Sequence, residues 1–305
     1  MRVKNKTPLV WAVLLSLVFL FIRFRSTDEG AVGIADEPSF EQVTFEGLIE
    51  PDWSEIDFVY EGISKVENSG NDFSGLVAGA IVPHHLLASE MIANVFDILS
   101  SRQPGTIILV GPNHYEKGES KVLTSYKGWL TPFGVVEAGD EVLDELMETG
   151  MLGIDDDVLT GEHSVFGILP FIEYYLPESK IVPLVLSNTL NINEIEKLAE
   201  YLSTLVKDDI VIVASVDFSH YLKESDASAN DMHTMEIISN FDIGRILELG
   251  DDHLDSPASI ALLLSTMRQT GHENVLLVDH TNSSNILRDE FVETTSYMTM
   301  FFTRE

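Results

Sequence analysis

Residues 76–114, LVAGAIVPHHLLASEMIANVFDILSSRQPGTIILVGPNH, contain the pattern that decides the fold. A short apolar run (76–82) precedes a segment of helical period (87–102), and a second apolar run, TIILVG (106–111), follows it. Apolar runs of strand length alternating with helical segments are what a parallel sheet covered on both faces requires, because its strands are buried from two sides. We read a βαβ unit here. Each of its strands exits into histidine: Pro83-His84-His85 after the first, Pro112-Asn113-His114 after the second.

The alternation continues towards the C-terminus. KIVPLVL (180–186), IVIVASV (210–216), NVLLVD (274–279) and SYMTMFF (296–302) read as further strands. Helices are expected at 139–149, about 164–175, 191–206, about 227–249 and 257–269. Residues 120–137 read as a hairpin or extended excursion with Lys127-Gly128 as its turn. The expectation is one α/β domain over 51–305, a mostly parallel mixed sheet flanked by helices. No internal repeat, GxGxxG or Walker loop is present, so nucleotide binding has no support.

Upstream, residues 1–7 carry Arg2, Lys4 and Lys6, and PLVWAVLLSLVFLFI (8–22) runs uncharged to Arg23 and Arg25. We read residues 1–25 as a membrane anchor or signal segment. Arg23-Phe24-Arg25 is a poor cleavage context, which favours a retained anchor with the domain outside the cytoplasm, and a secreted protein if it is cleaved. Residues 26–50 read as an acidic linker. The 50 acidic against 18 basic residues of the chain, net −32, would repel nucleic-acid phosphates, so nucleic acid is excluded as a partner. With no cysteine in 305 residues, disulfides, iron–sulfur clusters and Cys-ligated zinc are excluded too, and any metal is held by nitrogen and oxygen.

A third strand also ends in histidine: ASVDFSH supplies Asp217 and His220. Ligands of open parallel sheets bind beyond the carboxyl ends of the strands, so these three loops should meet in one crevice. A single strand-end histidine is commonly a ring satisfied by a backbone carbonyl; three sets together point to a metal, given imidazole's ligand preferences. Glu162-His163-Ser164 opens a helix, where the macrodipole favours an anion or a neutral imidazole, or where the acid simply caps. Asp217 lies three residues before His220, close enough to orient it or to cap the following turn. Two imidazoles and a carboxylate leave positions open on a metal such as Fe(II). The pattern leaves the third ligand open among Asp255, Asp217, Glu162 and Asp279, and Asp255 could serve only as a helix N-cap before Ser256-Pro257. His233, His253, His272 and His280 lack a comparable setting and are read as surface or packing residues.

The ordered series VPHH (82–85), GPNH (111–114), LTPFG (130–134), GEHSVFGILPF (161–171), IVPLVL (181–186), SVDFSHY (215–221) and DSPASI (255–260) resembles the Memo family, which includes the proteins called AmmeMemoRadiSam system protein B. The resemblance covers roughly residues 75–303. It implies a fold like that of the class III extradiol dioxygenases, the LigB-like group, with a non-haem metal at one end of a mixed sheet. His84 and His114 match the family's metal ligands. The family's third ligand is typically a Cys in a Cys-Gly pair ahead of a helix, and the matching position here is Asp255, which restores a two-histidine, one-carboxylate set. His163, His220 and Asp217 match positions around the pocket and are implied as its acid/base groups. His85-Leu86-Leu87 stands where members often carry Ala-Gly-Tyr, so the tyrosine's substrate contact is lost or replaced and His85 is free to face the pocket.

These implications give a metal-dependent, dioxygenase-like oxidoreductase acting on a small-molecule or peptide substrate. Fe(II) is the favoured cofactor, and the same donors admit copper or zinc. A radical enzyme and an AMMECR-like protein are the implied pathway partners. Two other classes remain: a non-catalytic, membrane-anchored module that binds a ligand or peptide, and a zinc-dependent hydrolase.

Overall fold

A computed structural model describes residues 47–67, 73, 75–206, 209–289 and 291–304. The expected anchor and most of the acidic linker lie outside the described residues, among which no helix is long and apolar enough to cross a membrane. Ile49, at the end of the expected linker, is buried and bridges to Trp129, so it is already part of the fold.

The strands are β1 (Gly79–Val82), β2 (Thr106–Pro112), β3 (Val122–Thr124), β4 (Trp129–Thr131), β5 (Gly134–Val136), β6 (Leu152–Ile154), β7 (Lys180–Leu186), β8 (Ile210–Ser215), β9 (Phe218–Leu222), β10 (Asn274–Asn282) and β11 (Thr294–Thr303). The helices are α1 (Ile56–Val66), α2 (Ser89–Ser100), α3 (Asp140–Met147), α4 (Asp156–Gly161), α5 (His163–Phe166), α6 (Leu169–Tyr175), α7 (Ile192–Leu205), α8 (Glu224–Ser239), α9 (Ile243–Ile246), α10 (Pro257–Thr270) and α11 (Ser283–Leu287).

The sheet runs β10-β11-β1-β8-β2-β7-β3-β6, with β9 added to β11. Its centre, β1-β8-β2-β7, is parallel; β11 is antiparallel to β1 and β10, and β3 to β7. The strands of the first βαβ unit are therefore not neighbours, because β8 lies between them. Alternate residues of the central strands feed two apolar layers. Ile81, Ile108 and Val110 pack with α7 and α10, while Ala80, Val82, Ile107 and Leu109 pack with α1, α2 and α6. Burial on both faces explains why these strands read as unbroken apolar runs. Caps fix the helices: Asn191 and Glu194 form a capping box on α7, and α10 starts at Ser256-Pro257 and stops at Gly271, whose φ is +72°.

Three expectations change. Residues 120–137 do not turn at Lys127-Gly128: β3 joins the main sheet, and the hairpin β4-β5 reverses at Pro132-Phe133. There Thr131 Oγ1 donates to the Gly134 carbonyl (3.0 Å) and accepts from the Phe133 and Gly134 amides (both 3.2 Å). The helix expected at 227–249 breaks at Phe241, whose φ is +52°. The one at 164–175 splits into α5 and α6, with Pro170 in the first turn of the second.

Candidate metal centre

The four parallel strands deliver side chains to one edge at the same step. His84, Asp217, His114 and Asn188 each stand two residues beyond the last residue of β1, β8, β2 and β7. All four line a crevice of about 520 Å³, joined there by His163, His220 and Asp255.

Hydrogen bonds set which ring nitrogens face the crevice. Ser215 Oγ donates to the Ser164 carbonyl (2.7 Å), so its contact with His84 Nδ1 (3.3 Å) is accepted from an Nδ1–H. His84 Nε2 is then turned to Asp255 Oδ2 at 3.2 Å and Asp217 Oδ2 at 3.7 Å. His114 Nδ1–H donates to Glu162 Oε1 (2.6 Å), which turns its Nε2 to the same Asp255 oxygen at 3.7 Å. Both histidines thus have the carboxylate or hydroxyl partner behind the ring that metal-binding imidazoles commonly have.

The acids differ in role. Glu162 accepts from the His114 amide (3.1 Å), the Ser164 amide (3.2 Å) and Ser164 Oγ (2.9 Å) as well as from the His114 ring, so it positions a ligand and is not free to be one. Asp217 Oδ1 accepts from the His84 amide (3.0 Å) and the His85 amide (3.5 Å), pinning the loop after β1. Asp217 does not cap its own following segment, since Phe218–Leu222 is strand β9, and no hydrogen bond joins it to His220 among the described residues. Ser256, not Asp255, is the N-cap of α10. The Asp255 carboxylate, only 9% exposed, accepts from the Asp217 amide through Oδ2 (3.3 Å), while its Oδ1 is buried and unpartnered. A buried carboxylate oxygen without a donor is costly unless a cation takes it. Asp279 is on β10 away from the crevice and accepts from the His280 amide.

The His163 ring stacks on His114 (4.1 Å between centroids, 22°) and lies 5.1 Å from His84. Two donor groups converge to within 4.8 Å, His84 with His114 and His163, and His84 with Asp217 and Asp255. His220 lines the crevice with Nδ1 buried and unpartnered, its amide held by the Asp251 carbonyl at 2.9 Å. His85, exposed, lines the same crevice, with Nδ1 2.5 Å from the Tyr297 hydroxyl. His233, His253, His272 and His280 bond to Arg245, Thr234, Thr270 and Asp231 outside it.

Charge is balanced inside the cluster. Burial alone would lower the pKa of His84, but Asp217 and Asp255 outweigh it and raise it. Burial is likewise overcome at His114, where hydrogen bonds to Asp255 and Glu162 push it up to about 10. Burial opposes ionisation of Asp255, yet the His84 charge and the His114 hydrogen bond hold it well below the usual carboxylate range. Glu162 is lowered against burial by its His114 hydrogen bond. His163 moves the other way, down to about 4, through burial and the neighbouring His84 and His114 charges. The surrounding acids thus draw His84 and His114 towards their protonated forms, while His163 is drawn towards its neutral form.

Sequence reasoning missed Ser215 and Ser164, which fix the tautomer, and Asn188. The last was accessible: KIVPLVL was read as a strand, and the residue two past its end is Asn188.

Three comparisons bear on this arrangement. The family model described as Memo-like protein matches residues 64–301. A "MEMO1 family protein" of Caldivirga maquilingensis is 28% identical over 237 residues, covering 74% of this chain and 83% of that protein, and one of Pyrobaculum aerophilum is 28% identical over 244 residues, covering 75% and 85%. Among solved structures, an uncharacterized protein from Escherichia coli K12 shares the fold with a TM-score of 0.53 at 13% identity, covering 73% of this chain and 99% of that one.

Proposed function

The chain belongs to the Memo-like protein family, and from that premise we propose that its crevice is a mononuclear, non-haem metal site carrying redox or oxygenase-type chemistry on a small-molecule or peptide substrate. The observation that carries the reading is the convergence of His84 Nε2 and His114 Nε2 on Asp255, whose second oxygen is buried without a partner. Two imidazoles and one carboxylate would hold the ion and leave positions for substrate, a donor set suited to Fe(II) and also acceptable to copper or zinc. A metal held there supplies Lewis acidity and, if redox-active, one-electron chemistry.

The protein's own groups do the rest. Ser215 and Glu162 hold the two ligand rings in the metal-binding tautomer. Asp217 fixes the backbone that carries His84. His220, with a buried and unpartnered Nδ1, and His163, neutral at pH 7, are placed to take or return a substrate proton. The chain anchored through residues 8–22, with this domain outside the cytoplasm, completes the reading.

Anaerobic purification followed by metal analysis tests it. The wild-type chain should hold close to one ion and the His114→Ala variant little; equally low contents in the two would refute the proposal. A colourless zinc protein that turns over esters or amides would instead select the hydrolase.

A further inference from the structure

Beside the metal crevice lies a second cavity of about 340 Å³, and the two share a wall of Glu55, His85, Leu86 and Thr295. Past that wall the lining turns apolar, with Phe58 from α1, Leu87, Leu287 at the end of α11, and Val292. Phe58 is 37% and Leu287 53% exposed, so two large apolar side chains border open space instead of core. The divider is held in place, because His85 Nδ1 is bonded to the buried Tyr297 hydroxyl and only its Nε2 remains for a ligand. Leu86-Leu87 are also the residues that replace Gly-Tyr of the family pattern. The replacement removes a hydroxyl and supplies two of the apolar walls.

Charge restricts what can lie there. The acidic side chains lining the side cavity are Glu55 and Glu293, and neither has an ion-pair partner among the described residues. Asp251 stands on the crevice side, and no lysine or arginine lines either cavity. A negatively charged arm would meet unpaired carboxylates on a chain of net charge −32, whereas a positive one would be drawn in.

We propose that the side cavity is the subsite for an apolar arm of the substrate, that this arm carries a positive charge, and that the substrate is therefore an amine with an aliphatic or aromatic arm whose other end reaches the metal ligands. The proposal rests on the metal-site reading only for where the reacting end lies. Its test compares phenylbutylamine, phenylbutanol and phenylbutyrate by calorimetric titration of the full chain, with metal content measured in every sample. The amine should bind at least about tenfold more tightly than the carboxylate. Glu55→Gln with Glu293→Gln should bring the amine to the level of the alcohol. Leu287→Gln, at an exposed position, should weaken amine and alcohol alike by about tenfold through lost apolar contact. Equal affinity for amine and carboxylate, an unchanged affinity in Leu287→Gln, or no saturable binding would each overturn the proposal. A metal-free wild type that still selects the amine through Leu287 would remove the metal reading and leave this one standing; a metal-loaded chain without selectivity would do the reverse.

Discussion

Loading the metal-free protein with a divalent ion at pH 7 should expel more than one proton per ion. Both Nε2 atoms face Asp255 and must give up any proton to bind metal. With its pKa held up to about 10, His114 is protonated in more than roughly 99% of metal-free molecules at pH 7. His84 is raised as well, by Asp217 and Asp255 against its burial. Two ordinary histidines, each roughly a quarter protonated at pH 7, would together release only about half a proton. The two cases are well separated. Calorimetric titration in buffers of different ionisation enthalpy measures the number directly, as the slope of observed heat against buffer heat. Apparent affinity should rise roughly tenfold per pH unit for each proton displaced. Glu162→Gln removes one of the two acids that raise His114 without removing a metal ligand, and should lower the release while Asp255 keeps it above that of ordinary histidines. A wild-type release near half a proton would refute the account in which Asp217, Asp255 and Glu162 raise the two ligand imidazoles above the ordinary histidine range.

Other expectations concern stability and ligand support. For the metal-free chain, raised His84 and His114 contribute stability that is full below about 6.5 and lost as pH climbs towards 10, while lowered Asp255 and Glu162 contribute stability lost as pH falls below about 4.5. Thermal unfolding should therefore show a maximum between those limits, and metal should abolish the alkaline decline; a metal-free Tm flat from pH 6.5 to 9 would contradict it. Ser215→Ala and Glu162→Gln each remove a partner behind a ligand ring and should lower metal affinity by about ten- to a hundredfold, read by chelator competition. Although His163 lies in donor range of His84 and His114, pulsed EPR of the Cu(II)-loaded chain should count two imidazole nitrogens, unchanged in His163→Gln. Three nitrogens falling to two in the variant would make His163 a ligand and refute its role as a proton-transfer group.

The central strands were legible because burial on both faces leaves their interiors apolar, with polar residues only at the ends, and His84 and His114 because each follows such a run directly. Less legible was whatever depends on a partner distant in sequence. Glu162 could be seen to open a helix, but not that its carboxylate would lie 2.6 Å from a ring 48 residues away. Asp217 was read against its neighbour His220, whereas it bonds amides 133 and 132 positions upstream. The break at Phe241 had its signal in the flanking Asn240 and Asp242, the latter capping α9, but apolar residues at helical spacing on either side masked it. In the hairpin, Lys127-Gly128 offered the more familiar turn dipeptide, yet the Thr131 hydroxyl organises the reversal at Pro132.

The position of β8 and β11 in the sheet also bears on how the protein is made. β1 is flanked by β8 and β11, so the strand that carries His84 has neither neighbour until residues 210–215 and 294–303 exist. Almost the entire chain must leave the ribosome before the crevice can close, and pairings that distant in sequence form slowly. Any metal the crevice takes up would therefore enter after synthesis, in whichever compartment the finished chain folds. A premature stop or a clip before residue 294 would take away the strand beside β1 and, with it, the closure of the crevice.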